Sequence, residues 1–107
     1  MLTNESVIKI VTDFVQELRG SGINLKKVIL FGSYAQNRQH EWSDIDVALV
    51  ADEFTGFGFY DRKLFSKINI KKEYSMIEAK TISNEHFKQS DPFINEIINK
   101  GIEIQLT

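Results

Sequence analysis

Val7, Ile10, Val11, Phe14, Val15 and Leu18 recur at helical spacing near the start of the chain, so one face of this segment is apolar and the other polar. Asn4 is the expected N-cap, Glu5 suits the first turn, Arg19 the last, and Gly20 supplies the stop. A Ser21-Gly22 turn leads into Val28-Ile29-Leu30-Phe31, a run apolar on both faces, which is the pattern of a central strand. It ends abruptly in Gly32-Ser33, and the polar stretch from Tyr34 to Trp42 has room for a short helix. From Asp44 to Val50 the period changes to two: Ile45, Val47 and Leu49 share one face of a second strand, whose other face starts with two aspartates.

Thr55-Gly56-Phe57-Gly58 breaks the pattern, and Phe59, Tyr60, Leu64, Phe65 and Ile68 then predict a second amphipathic helix ending near Asn69. Tyr74 to Lys80 reads as a third strand, with Ser75, Ile77 and Ala79 on one face and Tyr74, Met76, Glu78 and Lys80 on the other. Ser83 can cap a single helical turn. Asp91-Pro92 is a start signal, an N-cap followed by proline at the first helical position, and Phe93, Ile94, Ile97 and Ile98 form the apolar stripe up to Lys100-Gly101. Ile102, Ile104 and Leu106 alternate in a short last strand. The order α, β, short α, β, α, β, α, β predicts an α/β (α+β) sandwich, a mixed sheet flanked by helices. We expect one domain spanning residues 1–107.

Composition narrows the chemistry. With 42% hydrophobic residues in 107, the chain can build one packed core. A net charge of −2, from 13 basic and 15 acidic side chains, gives no general attraction to nucleic-acid phosphates. The absence of cysteine excludes disulfides and thiolate chemistry. Met1 to Glu5 lacks a basic leader region, and no apolar run approaches the roughly 20 residues that span a bilayer. A cytoplasmic protein without membrane attachment is the expectation. His40 and His86 stand apart from other ligand-type residues in sequence and read as surface residues.

The informative constellation is Gly32-Ser33, ten residues, and Asp44-Ile45-Asp46. A glycine at the end of a buried strand lets the backbone approach a bulky anion, and amides in a turn entering a helix point at phosphate oxygens. Residues 44 and 46 of one strand would place two carboxylates on one face, roughly 6.5–7 Å apart along the chain. That spacing suits paired Mg²⁺ ions, which take oxygen ligands and lie about 3.5–4 Å apart in two-metal sites. Two carboxylates about 4 Å apart repel by roughly 4 kcal/mol at an effective dielectric near 20, so such a cluster needs a cation or a shared proton. Glu78 would join as a third ligand if its strand lies beside that of Asp46. Each member also has a purely structural reading: Gly-Ser as a turn, Ser43 and Asp44 as a helix cap, Glu78 as an exposed charge on an edge strand. The combination, at this interval and with strands on both sides, points to phosphate and metal.

Gly32-Ser33, ten residues, Asp44-Ile45-Asp46 closely resembles the signature of minimal nucleotidyltransferases in the DNA polymerase β superfamily, and the lead-in helix, the Val-Ile-Leu-Phe strand, the acidic third strand and the closing helix extend the likeness along nearly the whole chain. The resemblance implies that Gly32 and Ser33 hold a nucleoside triphosphate, with ATP expected. It implies that Asp44, Asp46 and Glu78 bind two Mg²⁺ ions, and that an AMP group passes to an acceptor hydroxyl. Glu78 would take the proton. Family members often carry Arg-Gly where this chain has Gln36-Asn37, and Arg38 is the candidate replacement as a phosphate contact. Minimal members are often paired with a small all-helical HEPN protein in toxin–antitoxin modules, where the transferase attaches AMP to the toxin; such a partner is expected here, and a homo-oligomer remains open. Exposed aromatics between Phe54 and Tyr60 are a candidate contact surface, with burial under the second helix as the alternative.

Two other classes compete. One is a non-catalytic nucleotide- or partner-binding module of the same fold. The other is a nucleic-acid binder, which rests only on Lys63, Lys67, Lys71 and Lys72 and is answered more simply by a solvated helix face.

Overall fold

A computed structural model describes residues 3–40, 43–89 and 91–106. Helix α1 runs Asn4–Gly20 and buries Val7, Val11, Phe14, Val15 and Leu18, the stripe its periodicity predicts. Its N-cap is Thr3 rather than Asn4: the Thr3 hydroxyl accepts from the Ser6 amide, and the Ser6 hydroxyl in turn accepts from the Thr3 amide. This reciprocal box satisfies two amides at the helix start, which a lone asparagine cap does not.

Strand β1, Leu25–Phe31, is central, and α2, Gly32–Ala35, follows with no intervening loop. The short helix therefore sits at the glycine itself rather than across the polar stretch, of which Glu41 and Trp42 lie outside the described residues. Strand β2 runs Ile45–Ala51, so Asp44 precedes it and only Asp46 is a strand residue. β1 and β2 pair antiparallel. Strand β3, Ile77–Ser83, pairs parallel with β2, and β4, Ile102–Glu103, pairs antiparallel with β1, giving the order β3-β2-β1-β4.

A parallel pair needs a crossover, and residues 52–76 provide it. The predicted single helix over this stretch is instead a series of short pieces: α3, Gly58–Asp61, a 3₁₀ turn over Arg62–Leu64, α4, Ser66–Asn69, and a second 3₁₀ turn over Lys72–Tyr74. The reason is visible in Asp61. Its buried carboxylate accepts from the Thr55 amide at 2.8 Å, the Gly56 amide at 2.9 Å and the Thr81 hydroxyl at 2.8 Å, and the backbone turns at Phe65 (φ −137, ψ 17). Satisfying a buried acid outweighs helical continuity. Tyr74 belongs to that second turn, not to the strand; it packs on Phe14 and its hydroxyl donates to Glu17.

Helix α5 runs Asn84–Gln89, with the Ser83 hydroxyl accepting from the His86 amide. Helix α6, Pro92–Lys100, is capped by Asp91, which accepts from the Ile94 amide at 2.9 Å. Asp91 also binds the half-buried His86 ring, so His86 fixes the entry to α6 rather than standing free on the surface.

The sheet is clad on both faces. On one, Val28, Leu30, Val47, Leu49 and Ala79 pack against α1 together with Phe54 and Phe65. On the other, Ile29, Ala48, Val50 and Ile82 pack against Ile94 and Ile97 of α6. Each of the larger of these side chains, the valines, leucines, isoleucines and phenylalanines, is worth roughly 1.5–3 kcal/mol when fully buried. The second cluster is the smaller, and the ends of β2 and β3 that begin with Ile45 and Ile77 carry polar residues on that face: Asp46 and Glu78.

Candidate active site

β2 and β3 run parallel in a register that sets Asp46 directly beside Glu78, which establishes the adjacency the sequence only suggests. Across the antiparallel pairing on the other side, Asp46 faces Phe31, and Phe31 is followed by Gly32. Gly32 has φ +71, and a Cβ there would overlap the Asp46 carboxylate, with the Asp46 Cγ at 3.1 Å. Glycine is therefore required twice, for its backbone and for its missing side chain. Asp44, exposed and just ahead of β2, shares a side-chain hydrogen bond with Glu78.

The charges respond to this crowding. Asp46 is raised above the ordinary aspartate range, first by burial and then by repulsion from Asp44. Glu78 is also raised: by its hydrogen bond to Asp44, by burial, and by the charges of Asp46 and Asp44, while Arg62 pulls it the other way. A proton shared between carboxylates is what such a cluster does without a cation. Among the described residues, no three acidic or histidine side chains are gathered closely enough to enclose an ion as they stand. The donors nevertheless fit Mg²⁺, being hard carboxylate oxygens in a site that resists accumulating their charge.

Ser33 lies half-buried in α2, its carbonyl accepting from the Arg38 amide at 2.8 Å. Arg38 itself is exposed and makes no ion pair with Asp44, Asp46 or Glu78. Asn37 has φ +58, the left-handed region where glycine is favoured and asparagine is the best-tolerated alternative.

Beside Gly32 a cleft of about 210 Å³ is lined by Phe31, Gln36, Phe93, Glu96, Ile97 and Lys100. Lys80, two residues beyond Glu78 on the same strand face, lies 5.8 Å from the centre of the Phe93 ring. Period-two alternation in β3 could have singled out Lys80. Nothing local in the sequence marks Arg62 as a neighbour of Glu78, because the crossover brings it there.

The Polymerase beta nucleotidyltransferase family matches residues 13–106. The putative protein adenylyltransferase MJ0141 of Methanocaldococcus jannaschii is 32% identical over 103 residues, spanning 92% of this chain and 98% of that protein. Among solved structures, a putative nucleotidyltransferase from Sulfolobus solfataricus has a TM-score of 0.65 at 19% identity, over 96% of this chain and 87% of that one. A toxin–antitoxin structure with AMP-PNP has a TM-score of 0.59 at 23% identity, over 99% and 75%. The two structural likenesses speak for the fold, and the sequence matches carry the family: the chain belongs to the Polymerase beta nucleotidyltransferases and is a nucleotidyltransferase.

Proposed function

We propose that this protein transfers AMP from ATP to a hydroxyl of a protein acceptor, with Asp44, Asp46 and Glu78 as the metal ligands and Gly32 and Ser33 at the triphosphate. The observation that carries the reading is the pairing of Asp46 with Glu78 across β2 and β3, beside a glycine turn that leaves room for an anion. The likeness to the M. jannaschii putative protein adenylyltransferase supports a protein acceptor. The toxin–antitoxin neighbour supports a partner protein, and a small helical HEPN-type toxin is the partner we assign.

When bound, Mg²⁺ would offset the triphosphate charge and lower the pKa of the acceptor hydroxyl. Gly32 and the amides that follow it approach the phosphates, and the Ser33 hydroxyl adds a donor. The acceptor oxygen forms a bond to the α-phosphorus as the bond to the β-phosphate oxygen breaks, and pyrophosphate leaves. Glu78 takes the hydroxyl proton. Its exposed place on the edge strand, open to a partner, suits that role. Arg38 contacts phosphate only if its exposed side chain turns inward on binding. No helix among the described residues is long and apolar enough to cross a membrane. Dependence on ATP would place the protein in the cytoplasm.

The test is transfer of label from [α-³²P]ATP to a purified HEPN-type partner in the presence of Mg²⁺. Label should appear on the partner with the wild type and be lost with Asp46→Asn. Label that persists with Asp46→Asn would overturn the assignment.

A further inference from the structure

Between the buried Phe54 and Phe65, the crossover turns its other large apolar side chains outward. Phe57 and Phe59 are each 69% exposed and Tyr60 is 63% exposed, with Leu64 half-exposed beside them. A run of rings left in water on a small domain is unfavourable unless something covers it. Nor is this a loose loop that could fold its rings away. Asp61, 1% exposed, ties the segment to Thr55, Gly56 and Thr81, so the display is held against β3 from beneath.

We infer that the Phe57–Lys67 segment is a docking surface for an acidic protein partner, placed to bring that partner's acceptor hydroxyl to Glu78. The second half of the inference rests on the transferase reading above. Charge selects the partner. Arg62, Lys63 and Lys67 are exposed while the segment's one acid, Asp61, is buried, so three cations face outward on a chain whose net charge is −2. A second copy of this chain would set like charges against each other, which disfavours self-association through this face. A nucleic acid would need open ring faces for stacking. Here Lys63 already lies 4.4 Å from the centre of the Phe59 ring and 5.6 Å from that of Tyr60, and the two rings meet edge to face. An apolar surface studded with ammonium groups suits a protein face of carboxylates and aliphatic side chains.

The surface is also continuous with the site. The Arg62 guanidinium passes so close to Gly58 that a Cβ there would stand 2.7 Å from one of its nitrogens, and the adjacent Asp61 accepts from the Thr81 hydroxyl at 2.8 Å, on the same strand as Glu78.

The experiment is an amide-shift titration of the ¹⁵N-labelled full chain with three probes: the acetylated, amidated peptide Glu-Glu-Glu-Tyr-Glu-Glu, its lysine counterpart, and an oligothymidylate of matching charge. The acidic peptide should give saturable, salt-sensitive shifts at Phe59, Tyr60 and Lys63. Lys63→Glu, an exposed position whose fold is checked by circular dichroism, should weaken it by about tenfold, a typical loss for reversing a charge at a charged contact. Absence of saturable binding, shifts centred elsewhere, or equal binding of the lysine peptide would overturn the surface. Equal or tighter binding of the oligothymidylate at the same residues would overturn its assignment to a protein. Shifts at Gly32 and Ser33 on adding Mg²⁺–ATP, recorded without peptide, separate the two readings. A peptide response without an ATP response overturns the transferase mechanism and leaves the surface standing; the converse overturns the surface alone.

Discussion

The Asp46 carboxylate occupies the space that a side chain on Gly32 would need, so the turn after β1 and the acid on β2 are parts of one arrangement. Gly32→Ala should therefore cost more than its backbone strain of roughly 1–2 kcal/mol. Gly22, at φ +103 with nothing within 4 Å of its virtual Cβ, gives the control. Thermal melts should show Gly32→Ala well below Gly22→Ala, with ATP binding lost only in the former. Equal melts would show that Asp46 can move aside freely.

Asp46→Asn should stabilise the metal-free protein. Asp46 and Glu78 are both raised in the folded state. A carboxyl of that kind contributes stability below its unfolded value, and the contribution is lost as pH rises through the folded value. At pH 7 in EDTA the variant should melt a few degrees higher than the wild type, and Mg²⁺ should raise the melting temperature of the wild type alone. An equal response to Mg²⁺ in both proteins would remove Asp46 from the ligand set.

Asp61 carries the opposite sign. Burial pushes it up, but hydrogen bonds from the Thr55 amide, the Thr81 hydroxyl, the Gly56 amide and the Thr55 hydroxyl outweigh this and leave it below the ordinary value of 3.8. Its stabilisation is fully present above 3.8 and lost as pH falls through the lower folded value. Asp61→Asn should cost roughly 2–3 kcal/mol in urea denaturation at pH 7, the scale of hydrogen bonds to a charged acceptor. The gap from wild type should shrink in the acid range below the unfolded value; a gap independent of pH would mean that the charge is not what holds the segment.

Asn37 holds a left-handed turn, at φ +58, in the loop between the glycine turn and the acids. Asn37→Gly should be within about 0.5 kcal/mol of wild type, whereas Asn37→Ala should lose roughly 1 kcal/mol or more. Equal stability of the two variants would show that the turn does not depend on residue type.

Much of the fold was legible in the sequence because its signals are local. Helical spacing from Val7 to Leu18 gave α1 and its buried face, the Asp91-Pro92 pair gave the start of α6, and alternation gave the faces of Ile45, Val47 and Leu49. The crossover departs from its periodicity: Tyr60, Leu64 and Ile68 have helical spacing, yet Tyr60 and Leu64 face water. The long-range bond from Asp61 to Thr81 governs the backbone there, and no period records it.

The sequence by itself determined the chemistry available: a glycine turn, two aspartates at a fixed interval after it, a further acid in Glu78, and the strands to carry them. What only the tertiary structure decided was which of these groups meet. Parallel pairing set Glu78 against Asp46, the sheet edge left it open, and the crossover tied Asp61 to Thr81 on the same strand. Spacing within one strand follows from backbone geometry, which any sequence obeys. Strand order and register follow from how the apolar faces of distant segments bury one another, and that is a property of the whole chain.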